Sequence, residues 1–224
     1  MKLRSLLLLL MAAFFVSPSW ADEPKKDTAK PTPAPEKKKM ETITLASGCF
    51  WCTEVILQRV KGVETVVSGY TNGHVKNPTY AQVCEGDTGH AECVQVTFDP
   101  SVISLEKLLH IFFELHDPTT LNRQGPDSGT QYRSGIYYQT DEQKAVAEKV
   151  KAEVGKSGKY KNPIVTEIAK VDNFSKAEDY HQNYFDENFL RQSGNSRYCN
   201  GIILPKLKKM GLLKPEEKKA IGEQ

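Results

Sequence analysis

The chain has 224 residues, with 30 basic and 28 acidic side chains and a formal net charge of +2. So even a balance excludes the broad basic field that nucleic acid or an anionic membrane surface would call for, and the length allows one large domain or two small ones. The ends shorten the foldable part. A basic start, Met1-Lys2-Leu3-Arg4, leads into an almost unbroken apolar run over residues 5–16 that ends at Ser17-Pro18-Ser19-Trp20-Ala21. This three-part pattern reads as a secretory signal peptide over residues 1–21, cut after Ala21, and the run is too short to span a bilayer comfortably. A periplasmic or secreted protein without stable membrane insertion is therefore expected. No cysteine follows the run to take a lipid anchor. Residues 22–40 are rich in Pro, Lys and Glu and read as a disordered linker. Residues 214–224 are again charged and read as a flexible, frayed tail. One domain remains over residues 41–213, long enough to bury a core without staples.

Residues 41–45 are short and β-branched, a strand, and residues 53–60 read as a helix. Residues 63–71 read as a strand running to a turn at Gly73, and residues 72–79 as a loop. Residues 90–98 alternate, with Glu92, Val94, Val96 and Phe98 on one face and Ala91, Cys93, Gln95 and Thr97 on the other. Ser104 caps a helix whose buried stripe is Leu105, Leu108, Leu109, Phe112 and Phe113. His110 and His116 on or near that helix receive no role. Residues 117–133 form a long polar loop, a frequent place for function. A strand follows over residues 135–139, then a capping-box sequence, Thr140-Asp141-Glu142-Gln143, opening a helix to about residue 154. Residues 164–171 read as a strand. Residues 175–190 read as a helix with Tyr180, His181, Tyr184, Phe185 and Phe189 at helical spacing. The order predicts an α+β two-layer sandwich: a mixed, mainly antiparallel sheet around a ferredoxin-like βαββαβ core.

Ser47-Gly48-Cys49-Phe50-Trp51-Cys52 lies where the first strand turns into the first helix. Unpaired N–H groups at a helix start favour negative charge, so a thiol there is expected to ionise more readily and to act as a nucleophile. Phe50 and Trp51 either form an apolar pocket beside the sulfur or anchor the helix to the sheet. The five cysteines are Cys49, Cys52, Cys84, Cys93 and Cys199. In an exported protein an odd count leaves one thiol over, or one that changes partner, which favours redox chemistry. A single C-x-x-C pair fits zinc poorly, so no metal is expected. Cys84 and Cys93 are expected to be buried and inert. Glu92 shares a strand face with residues that look buried. The pattern alone favours an exposed strand end; burial would instead raise its pKa and make it a proton donor. Tyr80 and Tyr132 sit in or beside Gly/Pro-containing loops and by themselves name no reaction.

Taken together, the motifs resemble those of the class A peptide methionine sulfoxide reductases. Gly48-Cys49-Phe50-Trp51-Cys52-Thr53-Glu54 resembles that family's active-site signature. Ser68-Gly69-Tyr70-Thr71-Asn72-Gly73, Asn77-Pro78-Thr79-Tyr80 and Gly86-Asp87-Thr88-Gly89-His90-Ala91-Glu92 are similar to its next motifs. His116-Asp117-Pro118-Thr119, Asp127-Ser128-Gly129-Thr130-Gln131-Tyr132-Arg133-Ser134 and Tyr180-His181-Gln182-Asn183-Tyr184 follow in the family's order. The resemblance implies that Phe50 and Trp51 take the methyl end of methionine sulfoxide. It implies further that Tyr80, Glu92 and Tyr132 surround the sulfoxide oxygen, with Glu92 as the acid, and that Cys49 attacks sulfur to give a sulfenic acid. Asp127 and His181 match positions lining the site. The sulfenic acid is cleared by Cys199, whose setting Tyr198-Cys199-Asn200-Gly201 looks like the family's tail motif, or by Cys52; Cys199 is preferred. No cofactor is implied beyond an external thioredoxin-like reductant, and the expected partners are oxidised proteins or peptides, acted on by a monomer. Two other readings compete: a thioredoxin-like disulfide exchanger, which has no need of Glu92 with two tyrosines, and a binding domain with structural bridges, which five cysteines suit poorly.

Overall fold

The computed structural model describes residues 39–190 and 197–222. The signal peptide and almost all of the linker expected from the sequence lie outside them. Strand β1 (Glu41–Ser47) runs antiparallel to both β3 (Ala91–Phe98) and β6 (Ser134–Tyr138). Strand β2 (Val63–Thr71) covers the far side of β3. Two short strands complete the sheet: β7 (Glu167–Lys170), parallel to β6, and β8 (Ser175–Lys176), antiparallel to β2. The order across the sheet is β7-β6-β1-β3-β2-β8. Helix α1 (Phe50–Leu57) joins β1 to β2, and α3 (Leu105–Leu115) lies between β3 and β6. The four inner strands thus follow the fourth-first-third-second order of a βαββαβ unit, and the expected fold class holds.

Alternation explains the core. Val94, Val96 and Phe98 of β3, with Ile43 and Leu45 of β1 and Ile136 of β6, pack against Val55, Ile56 and Leu57 of α1 and Leu108, Leu109 and Phe112 of α3. Helix α4 (Asp141–Lys156) adds Ala147 and Val150 to this layer. Residues one step along the same strands, Ala46, Ala91, Cys93 and Tyr137, form a small second cluster on the opposite face. Burying that many large side chains, each contributing about 1.5–3 kcal/mol, leaves the central strands and α1 as the rigid frame of the molecule. Ser104 caps α3 by accepting from the Lys107 N–H, as expected. At α4, Thr140 accepts from the Gln143 N–H, but the Gln143 side chain reaches back to the Gln139 N–H, one residue earlier than a capping box requires.

Several expectations are corrected. Residues 80–85, given no element from the sequence, form α2 (Tyr80–Glu85), with Thr79 and Gln82 forming a capping box. The short helix buries only Val83, so Cys84 on it is exposed rather than buried; Cys93 is buried. The long loop folds into a tight hairpin of β4 (Arg123–Gln124) and β5 (Asp127–Ser128), followed by a helical turn at Thr130–Tyr132. Residues 175–190 are not one helix. They form β8, a turn at Asp179–His181 and a wide helical turn at Asp186–Leu190. Asn183 stands between these turns with φ +52°, and the Gln182 side chain bonds the Ser68 N–H, the Ser68 carbonyl and the Ala177 carbonyl. These tertiary contacts outweigh helix propensity. Nor is the C-terminus frayed from residue 214. A wide helical turn at Cys199–Ile203 leads into α5 (Leu204–Lys209) and then α6 (Pro215–Ala220), where Glu217 is 0% exposed and takes both guanidinium nitrogens of Arg59.

Candidate active site

Gly48 makes the turn that presents Cys49. Its φ is +87°, and a Cβ there would meet the Gln124 side chain at 2.5 Å, so glycine is required. Cys49 is the N-cap of α1 and is 8% exposed. The next residue, Phe50, donates its N–H to Glu92 Oε2 at 3.1 Å, which joins β3 to the start of α1 across 42 residues of sequence. Glu92 is 1% exposed, so the exposed strand end favoured by the pattern is wrong. Burial pushes its carboxyl up to about 8, although the Phe50 N–H holds it down, with Asp127 and Cys52 adding to the rise. At neutral pH Glu92 is an acid with a proton to give. Tyr80 and Tyr132 are half-buried around it. The phenols of both are raised, first by burial and then, among other charges, by Glu92 itself, so they remain protonated donors.

The two neighbouring sulfurs differ. Burial pushes the Cys49 thiol up, against the expectation from its place at a helix start; the carboxyl of Glu92 adds to the rise. Eight residues of helix do not offset the loss of solvent. Cys52 is pulled down to about 7, chiefly by hydrogen bonding with Cys49 and further by Lys206. The two thiols are hydrogen-bonded to each other and titrate as a pair, so a proton can pass between them. Both line a cleft of about 180 Å³ with Asp127, Tyr198, Ile202 and Lys206. The Tyr198 hydroxyl donates to Asp127 Oδ2 at 2.9 Å and lies 4.0 Å from Cys52 Sγ. Cys199, next in sequence, is 0% exposed and does not line this cleft.

The aromatic side of the site is built by α1 and the irregular segment after β8. Phe50 is 1% exposed, with its ring 5.8 Å from that of Tyr70 and 5.0 Å from that of His181, so it anchors the helix. Trp51 is only partly buried. Its indole N–H donates to His181 Nδ1 at 3.0 Å, and its ring stacks on Tyr184 at 3.6 Å and 7°. Burial lowers the His181 pKa, which keeps the ring neutral and the acceptor nitrogen free for the indole. Glu178 accepts the Tyr80 N–H at 2.9 Å and the Tyr70 hydroxyl at 2.8 Å, orienting α2.

The structure thus gathers Cys49, Cys52, Glu92, Phe50, Trp51, Tyr80, Tyr132, Asp127 and His181 at one end of the sheet and leaves Cys199 behind Tyr198. Sequence reasoning missed Tyr184, Tyr198, Glu178 and Lys206. Tyr198 stood next to a candidate cysteine and Tyr184 closed a matched motif, but only tertiary contact shows what either touches. Away from the site, Glu106, His110 and Glu153 each bring a ligand atom within 4.8 Å of the others. Lys149 already sits at 2.7 Å from Glu106 and 3.8 Å from Glu153, so this is an ion-pair patch.

A buried neutral carboxyl flanked by two phenols can meet negative charge arising on an oxygen beside a thiol. The arrangement defines a thiol-dependent oxidoreductase. The chain matches the peptide methionine sulfoxide reductase family over residues 41–217 and belongs to that family. It is 51% identical over 180 residues to a peptide methionine sulfoxide reductase of Saccharolobus solfataricus, covering 80% of this chain and 98% of that one. With the relative from Polynucleobacter asymbioticus it is 50% identical over 170 residues, 76% of this chain and 87% of the other. Among solved structures, reduced Mxr1 from Saccharomyces cerevisiae superposes with a TM-score of 0.64 at 43% identity, covering 72% of this chain and 91% of that one. Methionine sulfoxide reductase A of Corynebacterium diphtheriae gives 0.60 at 34%, covering 68% and 77%.

Proposed function

We propose that this methionine sulfoxide reductase acts on the S epimer at sulfur, in free or protein-bound methionine sulfoxide, by attack of Cys49. The observation that carries the mechanism is Glu92: a carboxyl 1% exposed, pushed up to about 8, and bonded to the N–H that follows Cys49. Sulfoxide oxygen is a poor leaving group unless donors meet its developing charge. Glu92 gives its proton to that oxygen, and the Tyr80 and Tyr132 hydroxyls hydrogen-bond to it. Cys49 sulfur bonds to the substrate sulfur as its own proton passes to Cys52. The hydroxyl then moves to Cys49, methionine leaves with the electron pair, and Cys49 is left as a sulfenic acid. The methyl end rests on Trp51, with the buried Phe50 ring packed beneath the pocket, and Asp127 and His181 line the walls.

The sulfenic acid condenses with a second thiol, losing water and forming a disulfide. Cys199 remains the preferred resolving residue, and Cys52, already beside Cys49, is the alternative. Two electrons from an exported dithiol donor of the thioredoxin kind restore the thiols, with no other cofactor. The leader over residues 1–21 supports export to the periplasm or beyond, and the enzyme works as a monomer.

An assay with separate S and R epimers of a methionine sulfoxide peptide and dithiothreitol tests the reading. Methionine from the S epimer alone, lost in Cys49→Ser, is expected. Equal turnover of both epimers, or full activity in Cys49→Ser, overturns it.

A further inference from the structure

Glu54 takes no part in the chemistry above, yet it is buried to 1% exposure in the middle of α1. An ionisable group is costly to place there, and one oxygen, Oε1, has no hydrogen-bond partner. The other oxygen accepts the Tyr184 N–H at 3.3 Å. Asn183 has φ +52°, a left-handed conformation that turns its own N–H and the next toward one acceptor. Burial pushes the carboxyl up to about 7, while those backbone N–H groups hold it down. The carboxyl is thus matched to this backbone corner.

That corner carries the ring that covers Trp51. Trp51, Glu54 and Gln58 lie along one stripe of α1, three and four residues apart. Trp51 meets the Tyr184 ring, Glu54 takes the Tyr184 N–H, and Gln58 donates to Asn183 Oδ1 at 2.7 Å. Gln182 fixes the chain just before the corner by its bonds to Ser68 and Ala177. After Asn183 the chain changes direction, so Gln182 does not determine where the Tyr184 ring falls.

We propose that Glu54 is a positioning residue for substrate recognition: by gripping the Asn183–Tyr184 corner it sets the Tyr184 ring on Trp51 and so shapes the surface that receives the methyl end of methionine sulfoxide. The inference rests on the reading that Trp51 contacts substrate. The grip acts on binding rather than on proton or electron transfer, because Glu54 holds the backbone that carries the Tyr184 ring, whereas Glu92 holds the N–H that follows Cys49.

The full chain is made with Trp20→Phe, so that Trp51 is the single tryptophan, and Glu54→Ala, Glu54→Gln and Trp51→Leu are added separately. Glu54→Ala is expected to change Trp51 emission as the stack loosens and to raise KM for a methionine sulfoxide peptide roughly three- to tenfold, the range a ring pair supports. The kcat of the first turnover stays close to the parent. Glu54→Gln, which keeps one acceptor oxygen, recovers most of both. Unchanged emission and KM in Glu54→Ala, or a fall confined to kcat, overturns the proposal. If Glu54→Ala does not fold, the near-isosteric Glu54→Met, which has no acceptor oxygen, is combined with Tyr184→Leu: KM effects that fail to add support coupling through the ring, and additive effects refute it. An unchanged KM in Trp51→Leu would sink the pocket reading instead, leaving the emission change as the separate measure of the grip.

Discussion

The start of α1 and the segment after residue 196 each carry a buried cysteine, and they are held in opposite ways. Cys49 follows β1, an interior strand with ladder bonds on both sides, and a glycine turn; the N–H after it is bonded to a strand residue. The segment from Arg197 pairs with no strand. Side chains tie it down: Tyr198 to Asp127, Glu217 to Arg59 and Lys214 to Asp186 at 3.1 Å. Backbone ladders fix a geometry to a fraction of an ångström, whereas side-chain ties are broken one or two at a time. In the proposed cycle, bond-making with substrate sits on the frame, and the thiol assigned to resolve the sulfenic acid sits on the tied segment.

The largest expected effect lies on the frame. Glu92→Gln keeps an acceptor for the Phe50 N–H but removes the proton, so the first turnover should slow by roughly 10²–10⁴. In the parent that rate should fall as pH rises through about 8, the value at which Glu92 loses its proton, and the fall should be absent in the variant. Stability should move the other way. A carboxyl raised in the folded state is neutral there while the unfolded chain ionises near 4.5, so the group costs progressively more as pH climbs from 4.5 to 8. Glu92→Gln should therefore gain on the order of 2 kcal/mol at pH 8 and little at pH 4, read by urea unfolding. A variant no more stable at pH 8 than the parent would mean that Glu92 is ionised in the fold.

The tied segment gives the next effect. With Cys199→Ser, one equivalent of methionine should still form at the parental rate, while sustained turnover with a dithiol protein donor drops. Cys52→Ser should retain the disulfide but slow the first turnover, since in the proposed mechanism Cys52 takes the Cys49 proton, and hydrogen bonding with Cys49 lowers its pKa. Quenched-flow thiol counting separates the two. Loss of the disulfide in Cys52→Ser with full retention in Cys199→Ser would transfer the resolving role to the frame and remove the need for any movement.

The frame was also the legible part of the sequence. Alternation in residues 90–98 assigned both faces of β3, and the β-branched run before Ser47 marked β1. Periodicity reports which face a residue occupies but not what lies over it, so Glu92 read as a strand end, whereas the chain around Cys49 covers it. The irregular parts misled for related reasons. His181, Phe185 and Phe189 do recur at helical spacing, but Gln182 and Asn183 find partners on β2 and at the end of α1 that a helix would forfeit. Residues 214–220 look solvated because the cation that pairs with the buried Glu217 lies 158 positions away, just past the end of α1. The roles of Tyr80, Tyr132 and Cys199 came from family resemblance, since an isolated loop tyrosine carries no pattern of its own.

The smallest expected effect concerns the tie between the two regions. Arg59, with its side chain 8% exposed, spans both carboxylate oxygens of Glu217, whose side chain is 0% exposed, and Nη1 also donates to the Leu212 carbonyl at 2.6 Å. Removing one member would strand the other charge in the interior, so Glu217→Gln is the milder probe. It should release α6, seen as faster amide exchange over residues 204–220. It should slow disulfide formation through Cys199 by a few-fold, because a loosened segment holds its thiol at a lower effective concentration near Cys49. The first turnover should not change, since the start of α1 is fixed from β1 and Glu92 rather than from Arg59 at its far end. A slowed first turnover in Glu217→Gln would show that the C-terminal segment also positions Cys49, and the frame and the tied segment would then act as one unit.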